Sequence, residues 1–260
     1  MIKNKNHTES FKNVFDELKY VSNSYVRLII LLSLNNKPKD LKELKKDTKL
    51  PYSSLSNNVH NLEVNGMLYI DVDKYHLFNS TKLLIKELIE LNNVIKVLDN
   101  LFHIIDGHDL DCIPMRSKLE LYLLEESKLL ESNIVEVYKF FNYIDEALQN
   151  AKHVHCIIPV YHQKFKDRFN ELADNHRFIE IFASEEVYKK YRKNSSVKFI
   201  TSFSEEHNFL LIITDKLMVM GFFRNDGTFD QTRLVSSSSK ESLEWAFNLF
   251  KYFKKKKMSF

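Results

Sequence analysis

The side chains whose types and spacing could do chemistry gather in LPYSSLSNNVHNLEVNG, Leu50 to Gly66. Leu55, Val59 and Leu62 recur at i, i+4 and i+7 and are expected to face a core, which turns Ser53, Ser54, Asn57, His60 and Asn61 outward. Such a face can bond to nucleic acid. Asn57 or Asn61 can reach adenine N6 and N7 together, Ser53 and Ser54 at a helix N-terminus can meet a phosphate or a base edge, and His60 can donate or accept. No Lys or Arg lies between Tyr52 and Asn65, so guanine readout is not expected from this helix. Phosphate affinity is assigned instead to Lys42 and Lys46 before it and Lys74 after it, helped by dimerisation. These eight residues form the candidate DNA-binding set. An amphipathic surface helix has the same pattern, so a protein–protein interaction module stays open as an alternative.

Two other constellations invite different chemistry. His108, Asp109, Asp111 and Cys112 cluster, and His153, His155, Cys156 and His162 follow later, which would suit a winged-helix metal sensor. The first group, however, lies within five residues of a bend without i, i+4 ligand spacing, and His153 and His155 simply share one strand face, so no metal ligands are assigned. His162, Gln163 and Lys164 fit the H-x-K start of the phospholipase D motif, in which the His is the nucleophile. That motif needs an Asp five positions after the Lys, where this chain has Phe169, and no second H-x-K occurs. A G-x-S-x-G elbow is absent, and four glycines, Gly66, Gly107, Gly221 and Gly227, make no phosphate loop. No catalytic residue and no cofactor are therefore assigned; a degenerate phospholipase D-like enzyme remains the alternative, and an enzyme is not expected.

The polar helix needs elements to hold it. Asp40 is a plausible N-cap for DLKELKKDTKL, with Leu41 and Leu44 inward and Lys42, Lys45, Lys46 and Lys49 on the surface. After Tyr52 to Asn65, Gly66 reads as a C-cap. The runs Leu68 to Val72 and Tyr75 to Phe78 then flank Asp73 and Lys74 as a hairpin. Helix, turn at Pro51, helix, cap and hairpin in that order spell a winged helix-turn-helix. Upstream, Phe11, Val14, Phe15 and Leu18 have helical spacing, and a buried helix is expected over Ser24 to Leu34. Downstream, Ser80 is expected to cap one helix reaching about Ile105, roughly 37 Å long. In it Leu84, Leu88, Leu91, Ile95, Leu98, Phe102 and Ile105 alternate spacings of four and three, a coiled-coil seam. A second stripe, Ile85, Ile89, Val94, Val97 and Leu101, gives the helix another face to bury, so one face is assigned to its own domains and one to a homodimer partner.

The remainder reads as helices around Lys118 to Leu130 and Asn133 to Asn150, then alternating strands and helices. The chain closes on KESLEWAFNLFKYFKKK, in which Trp245, Leu249 and Tyr252 are expected on one face. The fold class is thus α+β. Residues 1–80 are a winged helix-turn-helix DNA-binding domain, 81–114 a linker and dimerisation helix with a junction, and 115–260 a C-terminal α/β sensor-like domain with a mixed sheet. His155, His162, Asp215, Asp226 and Asp230 are the candidate ligand-binding residues, expected to converge near the C-terminal strand ends. An unknown small-molecule effector there would change the spacing of two recognition helices.

Composition agrees with this division. Residues 1–80 hold 12 Lys+Arg against 9 Asp+Glu, whereas residues 81–250 hold 21 against 26, so the positive bias coincides with the suspected DNA module. With 31 Lys, only 7 Arg and abundant Asn, an A/T-rich coding bias lowers the weight of any single lysine. Neither a membrane span nor a signal peptide is apparent, so a cytoplasmic protein without membrane contact is expected, and two cysteines, Cys112 and Cys156, without the spacing of a zinc site or disulfide framework, read as reduced structural thiols.

Taken together, the chain resembles the archaeal methanogenesis-regulator (FilR-type) family of winged-helix transcription factors. The resemblance is carried by SYVRLIILLSL, LPYSSLSNNVHNLEVNGML, GHDLDCIP, NAKHVHCIIPVYHQKF and, most specifically, ITDKLMVMGFFRNDGTFDQTRLVSSSSKESLEWAFNLFKYF. It implies a DNA-binding regulator with a C-terminal sensor-like domain and, by analogy with other archaeal regulators, a degenerate phospholipase D-like core. The recognition helix, without Lys or Arg, departs from what such a regulator would lead one to expect.

Overall fold

The computed structural model describes residues 18–133, 135–136, 138–203 and 209–258. Of the first expected helix, residues 18–22 are helical, while Phe11, Val14 and Phe15 lie outside the described residues. The chain forms two compact units that divide between Glu90 and Leu91.

In the N-terminal unit, α1 (Tyr25–Asn36), α2 (Leu41–Thr48) and α3 (Tyr52–Val64) pack around Ile30, Leu31, Leu34, Leu44, Leu55, Val59 and Leu62. Ser24 caps α1, its hydroxyl accepting from the Arg27 amide at 3.3 Å. The start of α2 is a full capping box: Glu43 N donates to Asp40 Oδ1 at 2.8 Å and Asp40 N donates to Glu43 Oε2 at 3.0 Å. Lys39, 3% exposed, is held between α1 and α2 by Ser33 O at 2.6 Å, Ser33 Oγ at 2.9 Å and the Asp47 carboxylate. Its ammonium thus has three acceptors in place of water, and it holds the Asp47 carboxyl below its usual range.

After α3, Gly66 turns the chain at φ +67° into the hairpin β1 (Leu68–Asp71) and β2 (Lys74–Leu77). The pairing Asp71↔Lys74 makes Val72 and Asp73 the turn residues, not Asp73 and Lys74 as expected. Both have positive φ, 44° and 59°, the sign a two-residue turn needs to match strand twist. A short bridge between Lys39 and Tyr75 extends the hairpin.

The helix after the hairpin, α4, runs Asn79–Asn100 and stops at Leu101 (φ −109°, ψ 16°), with α5 (Phe102–Ile105) beyond. One continuous helix to Ile105 is therefore corrected to two. The expected linker 81–114 is likewise not a separate part: Ile85 is buried in the N-terminal core, and Val97, Leu101, Ile104 and Ile113 in that of the C-terminal unit.

The C-terminal unit continues with α6 (Met115–Leu119), a 3-10 turn (Leu121–Leu124), β3 (Lys128–Glu131) and α7 (Lys139–Gln149). The expected helix up to Leu130 gives way to β3 because Leu129 and Leu130 pair with β9. Then follow β4 (His153–Ile158), α8 (Gln163–Asp174), β5 (Phe178–Ser184), α9 (Glu185–Arg192), β6 (Phe199–Phe203), β7 (Phe209–Thr214), β8 (Met218–Phe222), β9 (Arg233–Ser237) and α10 (Lys240–Met258). They build a seven-stranded mixed sheet in the order β3-β9-β8-β7-β4-β5-β6, with β4, β5 and β6 parallel and the remaining neighbours antiparallel.

Residue alternation sorts the sheet into two faces. Val154, Cys156, Ile179, Ile181, Leu210 and Ile212 point to a face covered by α7, α8 and α9 through Phe140, Ile144, Phe165, Phe169 and Tyr191. Ile157, Phe182, Leu211, Ile213, Met218 and Met220 point to the other, covered by Trp245, Ala246, Leu249, Phe250 and Phe253 of α10. Tyr252, expected on that buried stripe, is 46% exposed: the buried arc runs from Trp245 through Leu249 and Phe253 to Phe250, and at about 100° per residue Tyr252 falls just outside its edge, beyond Trp245. Among the described residues no helix is long and apolar enough to cross a membrane.

Candidate nucleic-acid interface

Leu55, Val59 and Leu62 of α3 are at most 2% exposed, and burying each contributes about 2 kcal/mol of anchoring. The helix is therefore held from one side and open on the other. Ser53, Ser56, Asn57 and His60 are exposed, with Val64 continuing the row at 71%. The spacing from Ser53 to Ser56, Asn57 and His60 is i+3, i+4 and i+7, one stripe of a helix.

Of the predicted polar face, Ser54 and Asn61 are only half-exposed. The backbone there is engaged: Ser54 O accepts from Asn58 Nδ2 at 2.8 Å, and Asn61 O accepts from Asn65 Nδ2 at 2.7 Å and from Tyr20 OH at 3.2 Å. They sit at the margins of the stripe, while Ser56, which the sequence reading passed over, sits in its middle. Its i+3 offset from Ser53 was the signal that could have found it.

Pro51 precedes α3, and the helix start has no side-chain cap, which leaves its first amides available to an acceptor. Beside that end, the ammonium of Lys45 lies 4.2 Å from the centroid of the exposed Tyr52 ring. Lys45, one of the surface lysines expected on α2, is thereby placed beside the start of α3. Lys42 and Lys46 are exposed on α2. Lys74 instead shares the Glu43 carboxylate at 3.6 Å, so its charge is partly answered within the protein. Behind it the hairpin carries an aromatic patch, Tyr69 stacked on His76 at 5.2 Å and tilted against Phe78 at 4.9 Å, with Ile70 and Val72 exposed.

The five candidate ligand residues do not converge. Asp215, in the turn after β7, accepts from the Lys152 amide at 2.8 Å at the start of β4, which is the opposite end of that strand from His162. His162, after β4, stacks on Phe141 at 4.2 Å on the α7–α8 face, and burial pushes its imidazole pKa down. Asp226 accepts from the hydroxyl and amide of Thr228 within one exposed turn. His155 lies mid-strand on the α10 face. Its separation from the others follows from strand alternation and sheet order, which sequence-local reading does not supply.

Asp230 is fully buried and belongs to another assembly. His108, also buried, places Nε2 2.9 Å from Asp230 Oδ2 and Nδ1 3.1 Å from Ile104 O, so both ring nitrogens face acceptors. Arg224 Nη2 donates to Asp230 Oδ1 at 3.0 Å, and Thr232 donates to it from its amide at 2.8 Å and its hydroxyl at 2.6 Å. Burial by itself would raise the Asp230 carboxyl; the bonds from Thr232, His108 and Arg224 outweigh it and hold the pKa at about 2. This node, buried at His108 and Asp230, ties the bend after α5 to the β8–β9 connection. Cys112 is half-buried and Cys156 fully buried, its thiol pushed up by burial. Among the described residues no three His, Cys, Asp or Glu side chains are grouped to hold a metal ion.

Comparison with known proteins bears on both units. Residues 137–256 match the family described as the middle domain of the methanogenesis regulatory protein FilR1. The methanogenesis regulatory protein FilR1 of Methanothrix harundinacea is 20% identical over 260 residues, an alignment covering 93% of this chain and 57% of that protein. The chain thus spans little more than half the length of this curated relative. Among solved structures, TrmBL2, an archaeal chromatin protein, aligns over 95% of this chain and 99% of its own at 12% identity with a TM-score of 0.40. An IclR transcriptional regulator from Alicyclobacillus acidocaldarius aligns over 88% and 95% at 10% identity with a TM-score of 0.25. Likenesses of that size leave the assignment to the sequence match. Residues 137–256 thus match the FilR1 middle-domain family, and along most of its length the chain is similar to an archaeal methanogenesis regulator.

Proposed function

We propose that this chain is a sequence-specific DNA-binding transcriptional regulator, acting as a homodimer and responsive to a small molecule through its C-terminal unit. The observation that carries the reading is the stripe Ser53, Ser56, Asn57 and His60, exposed on a helix anchored by three buried residues and followed by a hairpin wing. In that reading α3 enters the major groove, Asn57 reads adenine, and His60 and the serines contact neighbouring edges or phosphates. Lys42, Lys45 and Lys46 supply salt-sensitive phosphate affinity beside it, with Lys74 a lesser contributor. Ser54 and Asn61 flank the reading face. The match to a regulatory family agrees with this reading.

Dimerisation is supported by the exposure of the middle of the expected seam, whose ends, Leu84, Leu88 and Ile105, pack against the chain's own cores. Leu91, Ile95, Leu98 and Phe102 are 53%, 50%, 40% and 55% exposed, while the second stripe is buried at Val97 and Leu101. A second copy presenting the same row would cover it by knobs-into-holes packing. In the test, fluorescence anisotropy compares the chain's own promoter with random DNA. Binding at least about a thousandfold tighter to the promoter is expected for a specific regulator, and equal binding to both would overturn the reading. The double substitution Leu91→Glu and Leu98→Glu is expected to convert a dimer to a monomer by light scattering and to weaken promoter binding about a hundredfold.

A further inference from the structure

On the α10 side of the sheet, α10 packs over β4, β7 and β8, and the apolar surface continues past it. Phe178 of β5 and Phe199 of β6 remain 38% and 54% exposed, their rings 5.6 Å apart. Where the helix meets this open half lies a cleft of about 320 Å³ floored by His155 and Glu180 and walled by Phe247, Phe250, Lys251, Lys254 and Lys255. That volume lies at the small end of ligand sites.

Its charges are divided in a way that selects a ligand. Glu180 is answered by Lys254, Nζ to Oε1 2.6 Å, and lies 3.3 Å from His155 Nδ1, a nitrogen without a hydrogen-bond partner among the described residues. Burial pushes the His155 imidazole pKa down, against the pull of Glu180, so the floor carries little net charge at neutral pH. Lys251 has no carboxylate partner among the described residues; its ammonium rests 4.4 Å from the centroid of Phe247. The His155 ring stands edge-on to Phe247 and Phe250, with centroids 5.0 and 5.1 Å away. An aromatic wall with a cation at its rim favours a flat apolar body carrying one negative charge.

We infer that this cleft binds a small aromatic carboxylate, its ring against Phe247 and His155 and its carboxylate on Lys251. As the effector site it rests on the ligand-responsive reading above; as a binding site it stands by itself. Calorimetric titration of the full chain with a naphthalene carboxylate is expected to give saturable binding of one molecule per chain, with neutral naphthylmethanol about tenfold weaker. Lys251→Glu, at an exposed position, is expected to weaken the carboxylate about tenfold and leave the alcohol unchanged, whereas Phe247→Ala weakens both. Absence of saturable binding, or binding that both variants leave intact, overturns the inference. Binding that follows this pattern without changing promoter affinity keeps the site and removes its regulatory role, so the two readings fail separately.

Discussion

The outer stripe of α3 and the His108–Asp230 node use similar groups in opposite ways. On α3, Asn57, His60, Ser53 and Ser56 face solvent and spend no part of the fold's stability on one another. In the C-terminal unit His108 and Asp230 are at most 1% exposed at the side chain, and each is met by partners on several sides. A histidine beside an aspartate looks more like chemistry than a row of serines and asparagines does. Yet the pair is closed off from solvent, and the row has an open surface. Exposure, more than residue type, separates a recognition face from a structural knot here, because a buried polar group must be satisfied internally while an exposed one remains available.

The largest test of that contrast is His108→Ala. It leaves the Asp230 carboxylate buried with a lost donor, and the C-terminal unit should lose about 3 kcal/mol in urea unfolding. Trp245, 2% exposed and the only tryptophan, reports on that unit by fluorescence. An unchanged midpoint would mean that the node does not hold the fold.

Acid should find the same node next. A carboxyl with a folded pKa of about 2 contributes stability that is present above its unfolded value near 3.8 and is lost as pH falls through 2. Unfolding measured at pH 5 and pH 2.5 should show the wild type losing about 2 kcal/mol more than Asp230→Asn over that interval. Equal losses would place the acid sensitivity in other carboxylates.

Asn57→Ala reverses the pattern. It should weaken promoter binding about tenfold, toward the affinity for random DNA, and leave the unfolding midpoint where it was. A change in stability without a change in binding would make α3 an ordinary surface helix. The smallest effect is at the wing tip, where Val72, 85% exposed at φ +44°, is a β-branched residue in a left-handed turn. Val72→Gly should raise the stability of the N-terminal unit by about 1 kcal/mol in thermal unfolding, and a loss instead would show that the valine packs in a way that offsets its strain.

Much of the N-terminal unit was legible in the sequence because its determinants are local. Leu55, Val59 and Leu62 announce the buried side of α3 by spacing, Asp40 begins α2, and Gly66 ends α3 before the hairpin. The turn moved back to Val72 and Asp73 because register, not turn propensity, chose it. The C-terminal unit was legible as alternating strands and helices, but its candidate site was not. His162 and Asp215 come near in a list of strand-end residues and lie at opposite ends of β4, and Asp230 spends its bonds on His108, 122 positions away. Leu129 and Leu130 read as helix until pairing with β9 made them strand.

By itself the sequence determined the order of elements in the N-terminal unit, the buried side of α3 and the apolar stripes of α4, all of which follow from periodicity and capping over short spans. The tertiary structure alone decided which of those polar groups stay open, that the seam from Leu91 to Phe102 remains exposed, and that His155, Glu180 and Phe247 enclose one cleft. Such groupings depend on sheet order and on where a helix stops covering a face. Both are set by contacts between residues far apart in the chain, which no local pattern encodes.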